Sequence, residues 1–225
     1  NITDSIEYAG IIQKALLPQE KLLKLKFESC FLIFQPCEKV SGDFFWFAQR
    51  YNEYVVAVAD CTGHGVPAGL ISIMGITYLN EIVNSMQDPD PGKILNILHN
   101  KVQQSFSGSE ERFQNHEGMD ISLISINFET MNLRYAGANL PVYIARKKEI
   151  IELVPEKIAL GSSFRKSTFS STIFKLEHDD TAYLFSDGFV DQMGGTEGKR
   201  FGFNSFKEII SLASEMNVYK QQRFL

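Results

Sequence analysis

Cysteine is scarce in this chain: Cys30, Cys37 and Cys61 are the only three among 225 residues, and their spacing matches no metal-ligand pattern. So few, and odd in number, they do not build a disulfide framework, and they fit a reducing compartment, so a cytoplasmic location is expected. Basic tracts are missing too. None is longer than Arg146-Lys147-Lys148 and the net charge is −5, which removes the footprint of a nucleic-acid binder. No uninterrupted apolar run reaches the length of a membrane span. The nearest, from Val66 to Met86, is broken by Asn80 and Glu81. Signal peptide, internal repeat and low-complexity linker are all lacking. The first residue is Asn1, not methionine, and the chain stops at Gln221-Gln222-Arg223-Phe224-Leu225. Both ends are therefore expected to be cuts from a longer protein, with room upstream for a sensor or a membrane segment.

What is present suffices for one large domain or two small ones, since 44% of residues are hydrophobic. Asp4-Ser5-Ile6-Glu7 reads as a helix start, and Ile2, Ile6, Ala9, Ile12 and Leu16 recur at helical spacing until Pro18. That stripe predicts packing on the domain, on a dimer partner, or on both. From Lys26 to Ala59 the pattern is β, with strand formers at Phe27, Cys30, Phe31, Ile33 and Phe34, then strands at 44–47 and 54–59 around a turn at 50–53. Residues 66–86 predict a buried helix. Asp88-Pro89-Asp90-Pro91-Gly92 breaks it, and 93–106 predicts a second helix antiparallel to the first. A polar loop, 107–118, follows. Strands are predicted at 119–128, 133–136, 142–145, 150–154, 171–176 and 181–185, and a closing helix at 203–213. Segregated blocks of strands and helices predict α+β, with sheets stacked face to face under helices.

Asp60-Cys61-Thr62-Gly63-His64-Gly65 is the most informative stretch. It follows the strand-like Tyr54-Val55-Val56-Ala57-Val58-Ala59 and leads into the long helix, so a carboxylate sits where a buried strand ends. Asp43, in Ser41-Gly42-Asp43-Phe44-Phe45-Trp46, and Asp187, in Leu184-Phe185-Ser186-Asp187-Gly188, occupy similar contexts. Acidic groups there are costly unless paired or bound to a cation. With no basic neighbours in sequence, the three point to a divalent-metal site of oxygen ligands. Each also has a structural reading: Asp60 as a helix N-cap, Asp43 and Asp187 as turn residues. Gly63 and Gly65 are expected to allow close backbone approach.

These motifs, together with Tyr135-Ala136-Gly137-Ala138-Asn139-Leu140-Pro141, occur in an order that resembles the PPM-type metal-dependent Ser/Thr protein phosphatases. The likeness is greatest to their bacterial SpoIIE-like branch, which includes stress-response phosphatases acting on sigma-factor regulators. It runs from about Asp4 to Ala213. The resemblance implies an α-β-β-α sandwich with two Mg2+ or Mn2+ ions at one end. By resemblance, Asp60 would bridge the two ions, the backbone carbonyl of Cys61 would be a further ligand, Asp43 would hold one ion directly or through water, and Asp187 would hold the other. Two such ions clamp a phosphoryl oxygen and generate a hydroxide from water. The substrate implied is phosphoserine or phosphothreonine on a partner protein, such as an anti-sigma-factor antagonist. Residues 1–18 are expected to be a regulatory helix, mediating a homodimer below an upstream sensor, and 19–225 the phosphatase domain.

The family carries a further acidic segment before its last strand. This chain offers only Glu197, Glu208 and Glu215 after Asp191, so the domain is expected to be truncated at that end. The competing reading is therefore a non-catalytic sensory or scaffold module that keeps the fold. A two-metal nuclease is disfavoured by the missing basic groove. His64 reads either as a general acid for the leaving oxygen or as a helix-capping residue. Asp120, at the start of a strand, is a secondary candidate, and Asn139 reads as a turn former. The glycine-rich 194–202 segment reads as a surface loop or as a flap in which Lys199 or Arg200 meets phosphate.

Overall fold

The computed structural model describes residues 2–27, 29–107, 118–162, 168–194 and 198–225. Most of the loop read at 107–118, and residues 195–197 of the glycine-rich segment, lie outside the described residues. Two antiparallel sheets are stacked face to face. The first runs in the order β1 (Phe44–Arg50), β2 (Glu53–Cys61), β3 (Met119–Asn127), β4 (Asn132–Ala138), β7 (Thr172–Lys175). In the second, β5 (Val142–Arg146) lies between β6 (Glu149–Leu153) and β8 (Thr181–Leu184).

Strand alternation assigns each side chain to a layer. On β2, Val55, Ala57, Ala59 and Cys61 point to a core shared with α3 (Gly65–Ser85) and α4 (Pro91–Phe106). The alternate residues of β2, Val56 among them, face the second sheet. Ile124, Ile126, Leu133 and Tyr135 meet Val142, Ile144 and Leu153 there. On the outer face of the second sheet, Tyr143, Ala145 and Tyr183 pack with Phe206 and Ile210 of α6 (Gly202–Ala213). The short helix α5 (Asp187–Val190) adds Val190 to that cluster. This is the α-β-β-α sandwich the sequence predicts, and much of the phenylalanine is core.

The helix hairpin forms as expected. Asp90 caps α4, its side chain accepting from the Lys93 N–H at 3.0 Å, and Pro91 occupies the first turn. By length and composition α3 could cross a membrane, because Asn80 and Glu81 do not break its apolar run sufficiently. Packing explains its apolarity instead: Ala68, Ile71, Ile76, Leu79, Ile82 and Val83 are buried against the first sheet and α4. Asn80 accepts a hydrogen bond from the Trp46 indole at 2.9 Å.

Three expectations are corrected. Among the described residues, 27 and 29–34 form no strand. Their aromatics pack ring on ring, Phe27 against Tyr54 and Phe128, and Phe34 against Phe45, so the rings are partly covered without backbone pairing. The segment before them is a helix, α2 (Glu20–Lys26), and α7 (Val218–Phe224) closes the chain; neither is visible in periodicity because each is only seven residues. Finally, α1 (Ile2–Leu16) begins before Asp4 and does not bury the predicted stripe. Gly10 and Gln13 face inward, while Ile12 and Leu16 are 43% exposed, alongside Tyr8 and Ile11 at 65% and 63%.

The polar knot at Arg134 ties the helix hairpin to the first sheet. Its guanidinium, 16% exposed, lies 2.7 Å from Asp88, 3.3 Å from Glu53 and 3.6 Å from Asp90. Removing one partner of a buried ionic cluster leaves the others uncompensated. Arg134→Ala should therefore destabilise the domain by about 2 kcal/mol, read from the urea midpoint with unchanged slope. A change within about 0.5 kcal/mol would mean the cluster is solvated like a surface pair.

Candidate metal centre

Four acidic side chains meet at one end of the sandwich. Asp60 is the penultimate residue of β2, Asp43 immediately precedes β1, and Asp187 opens α5 just beyond β8. Asp120, on β3, stands directly opposite Asp60 in the antiparallel register. Like charges placed opposite each other are unfavourable in a sheet, so this register is one that hydrophobic alternation imposes along the rest of β2 and β3.

Local contacts orient the group. Ser186 Oγ donates to Asp43 Oδ2 at 2.8 Å, joining segments 143 positions apart. Asn139 Nδ2 donates to Asp120 Oδ1 at 2.7 Å. Asn139 has φ +59°, so it is the turn residue predicted and also a clamp on a carboxylate. Gly42 lets the Asp43 segment lie against β2, since a Cβ there would sit 3.0 Å from the Cys61 carbonyl oxygen and 3.1 Å from Ala68 Cβ. Gly63 works differently from the expectation of close approach: nothing lies within 4 Å of a Cβ built there, and its φ of +88° is the requirement.

Electrostatics records the crowding. Burial first, then Asp43 and Asp187, push the Asp60 carboxyl up to about 8. Asp187 is raised by burial and then by Asp191 and Asp43, with its hydrogen bond to Asp60 and the charge of Arg200 opposing. Burial also raises Asp120, opposed by the Asn139 hydrogen bond and by Lys157. These directions agree: burial and neighbouring carboxylates disfavour the ionised form of each, as expected for carboxylates sharing a site. Among the described residues no group of three or more acidic, histidine or cysteine side chains is drawn close enough, as placed, to hold a metal ion. Asp60 is hydrogen-bonded with both Asp43 and Asp187, and the hard oxygen donors of the trio fit the chemistry of a divalent cation such as Mg2+ or Mn2+.

The remaining sequence candidates are placed differently. The Cys61 side chain is 2% exposed in the helix-side core, away from the face that carries Asp60, so only its backbone carbonyl is available to the site. His64 is at the N-cap position of α3, but its side chain caps nothing. Its ring is 92% exposed, with Nδ1 3.2 Å from Glu38 Oε1. Lys199 and Arg200 form β10, paired with β9 (Met193–Gly194) in a small ribbon. Arg200 bonds Asp191, and its charge reaches Asp187. Sequence reading had no signal for Glu38, Ser186, Asp191 or Lys157, whose relevance arises only from chain crossings.

This fold and its acidic end define a PP2C-type phosphatase domain. The chain belongs to the SpoIIE family: the profile of Stage II sporulation protein E matches residues 51–221. Phosphoserine phosphatase RsbU of Bacillus subtilis strain 168 is 27% identical over 201 residues, covering 84% of this chain and 54% of that protein. The chain thus spans about half the length of that relative. The SiaA-PP2C domain of Pseudomonas aeruginosa superposes with a TM-score of 0.86 at 28% identity, over 99% of this chain and 87% of that one. RsbX in complex with magnesium shares the fold, with a TM-score of 0.54 at 18% identity over 85% of this chain and 87% of that one.

Asp60→Asn tests the centre. Replacing a carboxyl whose ionised form the site disfavours with a neutral amide should leave the unfolding temperature of the metal-free protein equal or higher. Saturating Mn2+ should raise the wild-type value by several degrees through preferential binding to the folded state, and raise that of the variant by about 1 °C or less. Equal stabilisation of both proteins by Mn2+ would remove Asp60 from the centre.

Proposed function

We propose that this domain hydrolyses phosphoserine or phosphothreonine on a partner protein, a signalling regulator of the anti-sigma-factor-antagonist kind, and that it does so in the cytoplasm. The observation that carries the reading is the convergence of Asp43, Asp60 and Asp187 on one solvent-facing end of the sandwich, with Asp60 pushed up to about 8. The relationship to a phosphoserine phosphatase and to a PP2C domain supports it.

Asp60 would contribute to both of two cations, with Asp43, Asp187 and the Cys61 carbonyl completing the protein's share of oxygen donors. When bound, Mg2+ or Mn2+ supplies Lewis-acid polarisation of the phosphoryl group and a water made acidic enough to attack it. The protein's own work is positional. Ser186 fixes one oxygen of Asp43. Asn139 similarly fixes Asp120 at the floor of the site. His64, exposed and with Nδ1 3.2 Å from Glu38 Oε1, would give a proton to the leaving serine oxygen. No nucleophilic side chain of the protein is required.

The test is Mn2+-dependent release of phosphate from a phosphoserine protein, with Asp187→Asn as the control. Loss of at least about a hundredfold in kcat is expected for that variant. A wild-type chain that binds Mn2+ yet releases no phosphate would instead favour a scaffold role.

Regulation through α1 follows from its two faces. Gln13 is 3% exposed. It donates from Nε2 to the Ser41 carbonyl at 2.5 Å and to Ser72 Oγ at 2.7 Å, and accepts from the Ser41 N–H at 3.0 Å. It therefore links α1 and α3 to the segment carrying Asp43. The outer face, Tyr8, Ile11, Ile12 and Leu16, is the surface we assign to a homodimer contact below an upstream sensor. Ile11→Asp with Ile12→Asp should shift sedimentation from dimer to monomer without loss of folding. An unchanged sedimentation coefficient would assign this face to another partner.

A further inference from the structure

The segment 156–160 crosses the mouth of the acidic end as a strap. Its first residue is fixed to the end of β4: the Glu156 N–H donates to the Gly137 carbonyl at 2.9 Å, and the Glu156 carbonyl accepts from the Asn139 N–H at 2.8 Å. Its last residue is fixed to the start of β3, where Met119 and Leu160 exchange two backbone hydrogen bonds of 3.0 and 2.8 Å. Both anchors adjoin Asp120, the first through Asn139 and the second through Met119. The backbone between them is therefore held at the rim, and it presents Lys157.

Lys157 is exposed and within electrostatic reach of Asp120. It has no hydrogen-bond or ion-pair partner among the described residues. Arg200, the other cation whose charge reaches the acidic group, is committed to Asp191. A long, unpaired ammonium at the edge of a carboxylate cluster is poorly explained as structure. An exposed lysine gains little from a surface carboxylate, and Asp120 already has its partner in Asn139. A substrate phosphoryl group is a different matter. It arrives with close to two negative charges and three acceptor oxygens, at a site where two divalent cations would do no more than offset the four aspartates, so the charge of the phosphoryl group itself is left to be met. A lysine on a fixed backbone and a flexible stem supplies a point charge and three donors to whichever oxygen faces the rim.

We propose that Lys157 is a phosphate-binding residue of this site, gripping the phosphoryl group of the substrate from the strap side. The proposal rests on the phosphatase reading above and extends it to a residue that no acidic motif marks. Because Lys157 stands outside the carboxylate trio, it acts on substrate and product binding, not on cation binding.

The experiment is calorimetric titration of the Mn2+-loaded chain with inorganic phosphate, paired with Mn2+ titration and with turnover of a phosphoserine peptide. Lys157→Ala should weaken phosphate binding about tenfold, the scale of one charge-assisted hydrogen bond. Lys157→Arg should keep most of the affinity, and Lys157→Glu should lose more than the alanine variant. Mn2+ affinity should stay within about twofold throughout, and the peptide KM should rise with the phosphate dissociation constant. Unchanged phosphate binding in Lys157→Ala overturns the proposal. So does a loss matched by an equal loss of Mn2+ affinity, which would make Lys157 a screen for Asp120. Phosphate binding that depends on Lys157, in a wild-type protein with no turnover, sinks the phosphatase reading and leaves this one standing.

Discussion

Mutual repulsion among carboxylates at one end of a β-sandwich is the constraint on which the rest of this molecule turns. Asp60 cannot leave the site without shifting β2 by a residue, and such a slip would exchange the faces of Val55, Ala57 and Ala59 with those of Val56 and Val58. Asp120 is locked in the same way by β3. The two sheets and the helix-side core thus hold together a set of charges that would otherwise separate. The fold supplies a strained arrangement of anions, and a divalent cation is the natural species to relieve it. Stability and chemistry are opposed at these positions, as is common where a site needs preorganised charge.

The same constraint explains why apparently remote contacts matter. Asp43 does not sit on a strand; it is held by Gly42 packing on the Cys61 carbonyl, by Ser186, and through Ser41 by Gln13 on α1. A displacement of α1 would break three hydrogen bonds of Gln13 and free the one carboxylate of the trio that no regular element fixes. The strap at 156–160 plays a comparable part on the opposite rim, where it fixes Lys157 and buttresses the strand ends next to Asp120.

Much of this was legible from the residues alone. The strand-like apolar run at 54–59 and the glycine turn that follows Asp60 define both a strand and the position of its terminal carboxylate. Pro91, after the Asp90 cap, divides two helices whose lengths leave little ambiguity. Other features were hidden for physical reasons. The aromatics of 27–34 satisfy any strand propensity, yet they fill gaps beside Tyr54 and Phe45 instead of pairing. The inward face of α1 is chosen by a glutamine and a glycine, which a hydrophobic stripe cannot reveal. Ser186 and Asp43 are neighbours only because the sheets stack, and Lys157 gains meaning only from two backbone bridges. Propensity reads local order, whereas these roles are set by chain crossings.

The most direct test of the central claim is an anomalous-difference diffraction map of crystals grown with Mn2+. The account predicts strong peaks in contact with Asp60 and bounded by Asp43 and Asp187, absent from crystals of the Asp60→Asn variant. Mn2+ peaks confined to other surfaces, with Asp60, Asp43 and Asp187 left in mutual contact, would contradict it.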